Sequence, residues 1–143
     1  MKIAMGSDHA GLELKAAIAE HLRERGHDVV DHGAYEDRSV DYPDFAQVVG
    51  RAVVGGEADR GLLICGTGQG MAIAANKIPG VRAAVVSDTF SARMAMAHND
   101  ARVLCLGQRV VGAGLALDIV DSWLSTEFEG GRHARRVGKI EAC

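Results

Sequence analysis

Cys65 closes an apolar run and opens a glycine-rich one in "LLICGTGQGMAIAANK", Leu62 to Lys77. A free thiol titrates near pH ~8.5, and a helix N-terminus or a nearby cation can lower that value until thiolate is present at neutral pH. Gly66, Gly68 and Gly70 leave backbone N–H groups uncovered and can take positive φ, so this loop, with Gln69 inside it, can stabilise an anion. A strand that fixes a sulfur beside such a loop offers a base and an oxyanion site in one turn. Taken alone, the stretch equally fits an inert buried thiol at a strand end, the reading adopted for Cys105. The glycines do not form a dinucleotide fingerprint. "GTGQGM" misses the last glycine of GxGxxG, follows the third strand candidate instead of the first, and lacks the GK[ST] ending of a P-loop.

Other residues of chemical interest lie elsewhere. Asp8 and His9 follow the first strand candidate in "GSDHAG", where Asp8 also suits an N-cap. His98 and Asn99 end a helix, and a histidine there can simply complement the helix dipole. Arg132 and Arg136, four apart, share a helical face that suits a divalent phosphate, although a run of charges also describes a solvated tail. The preceding "EGG" suggests a segment that folds over something, and Arg109 after the fifth strand could add a third cation. His21, His27 and His32 show no paired ligand spacing, so no metal site is expected.

These residues need elements to hold them. The chain of 143 residues suits one domain, residues 1–143, ending in a basic helix at about 132–142. Strand candidates are Lys2 to Gly6, Asp28 to Asp31, Gly61 to Cys65, Arg82 to Val86 and Val103 to Leu106, and their mostly continuous hydrophobicity predicts strands covered on both faces. Helical stripes lie between them. Leu14, Ala17, Ile18, His21 and Leu22 precede Gly26; Phe45, Val48, Val49, Ala52 and Val53 follow Pro43 and precede Gly55 and Gly56; Ala116, Ile119, Val120, Trp123 and Leu124 repeat the spacing. The Met- and Ala-rich "ARMAMAHNDA" reads as ordinary helix packing. The pattern predicts an α/β fold, a parallel sheet with helices around it. If strands one and three are neighbours, Asp8 and His9 face the loop from Cys65 to Gly70 across the crevice at the carboxyl ends of the strands.

Composition limits the partners. With 48% hydrophobic and 24% charged residues the chain suits an ordinary globular core and surface. A net charge of −3 lacks the overall positive field that draws nucleic acid. Cys65, Cys105 and Cys143 form neither a disulfide framework nor a zinc motif, which fits a reducing cytoplasm. The apolar run at the N-terminus is too short for a signal peptide or a membrane span.

With "GSDHAG", "DYPDFA", "CGTGQGMAIAANK", "HNDA", "LGQRV" and "EGGRHARRV" in order along almost the whole chain, the sequence resembles the ribose-5-phosphate isomerase B family, whose relatives include galactose-6-phosphate isomerase subunits. That resemblance implies a Rossmann-like three-layer α/β/α sandwich with a five-stranded parallel sheet. It also implies a homodimer that can pair further into a tetramer, and metal- and cofactor-free interconversion of ribose 5-phosphate and ribulose 5-phosphate. It suggests Cys65 as the base at C2, His98 as the group assisting furanose opening, and Thr67 as handling hydroxyl protons. Asp8, Tyr42 and Asn99 match sugar-contacting positions, Gly66 to Gly70 the anion loop, and His9, Arg109, Arg132 and Arg136 the phosphate set. A branch of the family without the cysteine looks to use a glutamate where Met71 stands, and methionine cannot accept a proton, which leaves Cys65 as the base. Gln69 replaces a residue often aliphatic in the family.

Geometry adds an expectation. A crossover helix from Asp88 to Ala97, about 15 Å long at 1.5 Å per residue, carries His98 away from Cys65 of its own chain. A catalytic His98 then serves a neighbouring subunit, on which the basic helix would also pack. Two other readings stay open: an isomerase of a six-carbon sugar phosphate such as allose 6-phosphate or galactose 6-phosphate, and a non-catalytic module that binds a sugar phosphate or nucleotide.

Overall fold

Short apolar runs and helical stripes become alternating strands and helices in the computed structural model, which describes residues 1–143. They are β1 (Lys2–Ser7), α1 (Leu12–Glu24), β2 (Asp28–Asp31), α2 (Tyr42–Val54), β3 (Arg60–Cys65), α3 (Gln69–Ala75), β4 (Ala83–Val85), α4 (Thr89–Asn99), β5 (Val103–Gly107), α5 (Ala113–Leu124) and α6 (Arg132–Glu141). All strand pairs are parallel, in the order β2-β1-β3-β5-β4.

Successive side chains on a strand point to opposite faces, and the core divides accordingly. Ile3, Met5, Leu62, Ile64, Leu104 and Leu106 pack with the stripes of α1, α4 and α5. Ala4, Leu63, Cys65, Val103 and Cys105 pack with α2 and α3 on the other face. The result is the three-layer α/β/α sandwich with a five-stranded parallel sheet. Burying a Leu or Ile in such a layer is worth roughly 1.5–3 kcal/mol relative to exposing it. Trp123 is fully buried and its indole N–H donates to the Ala101 carbonyl at 2.8 Å. Gly26 and Gly56 take positive φ just beyond α1 and α2, where the chain must leave each helix. No helix is long and apolar enough to cross a membrane.

Two expectations need correction. The strands at the edges, β2 and β4, are only half covered, because a strand with one neighbour shares its flanking helices with solvent. β4 is also shorter than Arg82 to Val86, spanning Ala83–Val85; Arg82 stands just before it, with its guanidinium bonded to the Asn99 carbonyl at 2.8 Å and to Asp100 at 3.2 Å.

Strand order positions the site. Ser7 of β1 registers with Ile64 of β3, and Cys65 of β3 with Gly107 of β5, so the loops after β1, β3 and β5 meet at one edge. From β1 the chain crosses one face through α1 to β2; from β3 it crosses the other face through α3 to β4. Such diverging connections open a crevice between the two strand ends.

Candidate active site

Cys65 ends β3 inside that crevice, 5% exposed. Its Sγ accepts the Gly68 N–H at 3.0 Å, an arrangement that stabilises negative charge on sulfur. Gly68 has φ +83°, and an ideal Cβ there would lie 3.1 Å from the Leu106 carbonyl carbon, so the turn requires glycine. Gly107 is equally constrained, since a Cβ would come within 2.7 Å of the Thr67 backbone. The loop after β5 is stapled beneath: Gln108 N–H donates to the Cys65 carbonyl at 2.9 Å and Arg109 N–H to the Gly66 carbonyl at 3.1 Å. The Arg109 guanidinium then lies against Gly66. Thr67 Oγ1 accepts the Gln69 N–H at 3.3 Å. Cys105 is fully buried, and burial, then the neighbouring Cys65, pushes its thiol far above the ordinary range, so it is an inert thiol.

Asp8 and His9 complete this group from β1. Asp8 is buried, and its Oδ1 accepts the Ala10 N–H at 3.0 Å, capping a single 3₁₀ turn at His9–Gly11. His9 Nδ1 accepts the Val40 N–H at 3.3 Å, so the neutral ring carries its proton on Nε2. Tyr42, the first residue of α2, lays its ring over Gly70, where a Cβ would be 2.6 Å from it.

Three supporting side chains escape a reading of the sequence. Gln108 Oε1 accepts the Leu14 N–H at 3.0 Å and ties α1 to the β5 loop. Buried Lys15 donates to Asp31 Oδ1 at 2.8 Å and to the Ala34 carbonyl, anchoring the segment that leads to Val40 and Tyr42. Arg82 holds the Asn99 carbonyl, Asp100 and Glu141.

The remaining candidates form a second group at the opposite edge. α4 returns to the amino ends of the strands, leaving His98 and Asn99 beside Arg82 and Asp100, which precede β4 and β5. β5 alone separates the edges by about 15 Å at ~3.3 Å per residue. His98 stacks on His133 with ring centroids 4.1 Å apart and planes 7° from parallel. Arg132 and Arg136 lie one turn apart on the exposed side of α6. Thus Cys65, Thr67, Asp8, His9, Tyr42, the glycine loop with Gln69, and Arg109 come together within one chain, while His98, Asn99, Arg132 and Arg136 do not join them.

Around Cys65 the single chain presents an open rim of exposed Tyr42, Thr67, Gln69 and Arg109. A cleft of about 630 Å³ lies at the other edge, lined by Lys77, Arg82, Asn99, Ile140, Glu141 and Cys143 among others, and not by Cys65. His98, Glu129 and His133 bring two imidazoles and a carboxylate within 4.8 Å of one another. Imidazole ligates a metal in the plane of its ring, and the lone pairs of two parallel rings run side by side instead of converging on one ion.

This arrangement has counterparts among known proteins. The chain is 53% identical over 141 residues to ribose-5-phosphate isomerase B of Escherichia coli, covering 99% of this chain and 95% of that one. It is 44% identical to D-erythrulose-4-phosphate isomerase of Pectobacterium atrosepticum, covering 98% and 93%. Ribose-5-phosphate isomerase B of Clostridium thermocellum superposes with a TM-score of 0.98 at 60% identity, over 99% of this chain and 96% of that one. The ribose/galactose isomerase family model matches residues 3–140, and the chain belongs to that family of isomerases.

Proposed function

We propose that the protein interconverts ribose 5-phosphate and ribulose 5-phosphate through a cis-enediolate. The Cys65 thiolate takes the proton from C2 of the open-chain aldose and returns it to C1. Negative charge on O1 is met by the backbone N–H groups of Gly66 to Gly70, while the O2 hydroxyl proton passes to O1 by way of Thr67. Isomerisation of this kind needs a base about 3 Å from carbon and preorganised donors at the developing oxyanion. The observation that carries the reading is the Gly68 N–H aimed at a sulfur at the mouth of an amide-lined turn. Binding a phosphate requires no thiol, which counts against a module that only binds.

His98 assists furanose opening from a second copy of the chain, and Asn99 contacts the sugar beside it. Asp8 and Tyr42 contact the sugar from the Cys65 side. The phosphate is held by His9 and Arg109 together with Arg132 and Arg136 of the other copy, so that α6 packs on a neighbouring subunit. Phosphate contacts remote from C1 and C2 hold the chain in register and supply positioning. The three free cysteines suit a reducing cytoplasm.

A second reading concerns chain length. The base and loop act only on C1 and C2, and a relative at 44% identity bears the name of a four-carbon isomerase. Rates on ribose 5-phosphate, erythrulose 4-phosphate, allose 6-phosphate and galactose 6-phosphate test both readings. Highest kcat/KM on ribose 5-phosphate supports the first, and no turnover of any of them refutes an isomerase of this class.

A further inference from the structure

α6 buries one side chain, His133, at 6% exposure, and its Nε2 has no hydrogen-bond partner. A buried polar atom left so requires an explanation. That nitrogen faces Glu129 Oε2 at 3.5 Å, longer than an ordinary N–H···O bond, and the same oxygen lies 3.8 Å from His98 Nε2. One carboxylate therefore faces two stacked imidazoles. The backbone is built to hold them there. Glu129 N–H donates to the Ala97 carbonyl at 2.9 Å, one residue before His98, and Gly130 and Gly131 both take positive φ to turn α6 back over α4.

We propose that His133 is a positioning residue for His98: it clamps the plane of that ring and shares Glu129 with it, so that His98 is held in the orientation in which it meets the furanose ring oxygen. The proposal rests on His98 as the ring-opening group. Two stacked imidazolium rings would repel each other with a single carboxylate to offset them. The charged groups facing His133 are His98, Arg132, Glu129 and Arg136; burial first, then His98 and Arg132, lower its pKa, and Glu129 opposes them. His133 is thereby biased towards its neutral form, an uncharged ring stacked on His98. In the ring-opening step His98 gives a proton to the furanose ring oxygen as the C1–O4 bond breaks, and the C1 hydroxyl releases one to water, from which His98 regains it.

Three variants of the full-length protein test this. His133→Asn should lower kcat on ribose 5-phosphate at least about tenfold with KM changed less than about threefold, and His133→Phe, which keeps a stacked ring, should recover part of the loss. Both variants should exchange the C1 hydrogens of ribulose 5-phosphate with deuterated water at the native rate, because that ketose is already open. In His98→Asn, the His133 C2–H resonance should titrate at higher pH than in the native protein. Native kcat in His133→Asn, a His133→Phe no better than His133→Asn, parallel loss of isomerisation and exchange, or an unmoved His133 titration would overturn the proposal. Native kcat in His98→Asn would remove the ring-opening role beneath it, a failure distinguishable from the others because it needs no change at His133.

Discussion

Cys65 and His98 lie at opposite edges of one sheet, the first beside Gly107 at the end of β5, the second beside the residues that lead into β4 and β5. A reaction that uses both needs two copies of the chain, and a two-fold pair supplies two such sites. Chains carrying Cys65→Ala mixed with chains carrying His98→Asn should regain activity. With random exchange half of the dimers are mixed and each has one intact site, so recovery should reach about a quarter of native activity. No recovery after verified subunit exchange would contradict a shared site.

The glycines at the crevice are steric requirements. Gly107→Ala drives a Cβ to 2.7 Å from the Thr67 backbone, and Gly70→Ala drives one to 2.6 Å from the Tyr42 ring. Backbone cannot yield as a side chain can, so Gly107→Ala should destabilise the fold by about 1–3 kcal/mol and cost more activity than Gly70→Ala. Thermal unfolding and kcat/KM of the two variants, side by side, check the order.

Arg82 ties α6 to the end of α4 through Glu141, Asp100 and the Asn99 carbonyl. Arg82→Met keeps the stem and removes the tether, freeing Asn99, Arg132 and Arg136 together. If Asn99, Arg132 and Arg136 hold the substrate as proposed, KM for the sugar phosphate should rise about tenfold, and kcat should fall as well, because the same tether holds α6 and with it His133 against His98.

Much of the framework was legible because its signals are local. Short apolar runs bounded by glycine marked the strands, β2 to the residue, and the sharp chemistry of "CGTGQG" marked the loop. The length and direction of α4 are also legible in the sequence, and they set His98 apart from Cys65 of the same chain. What stayed hidden depends on distance in space. Gln108 meets Leu14 across 94 positions, and Lys15 reaches Ala34 across 19. His133 was masked differently. It stands in a basic run whose arginines draw attention, and only the Gly130–Gly131 turn buries it. Half-covered β2 and β4 were misread because an apolar run does not say whether a strand has one neighbour or two.

Two buried groups give opposite pH dependences. The folded state holds His133 below its ordinary pKa, so as pH falls through about 6.5 the unfolded chain takes up this proton first and stability drops. Cys105 is held above its ordinary range, so as pH rises past about 8.5 the unfolded chain loses its thiol proton first and stability drops again. Denaturant midpoints against pH should weaken on the acid side less in His133→Asn, and on the alkaline side less in Cys105→Ala, than in the native chain.

The role of Cys65 is tested most directly by hydrogen exchange at C1 of ribulose 5-phosphate, which bypasses ring opening and reports the base alone. In Cys65→Ser, exchange and isomerisation should fall together by at least about a hundredfold while sugar-phosphate binding by calorimetry persists. Exchange at the native rate in that variant would show that another group carries the proton.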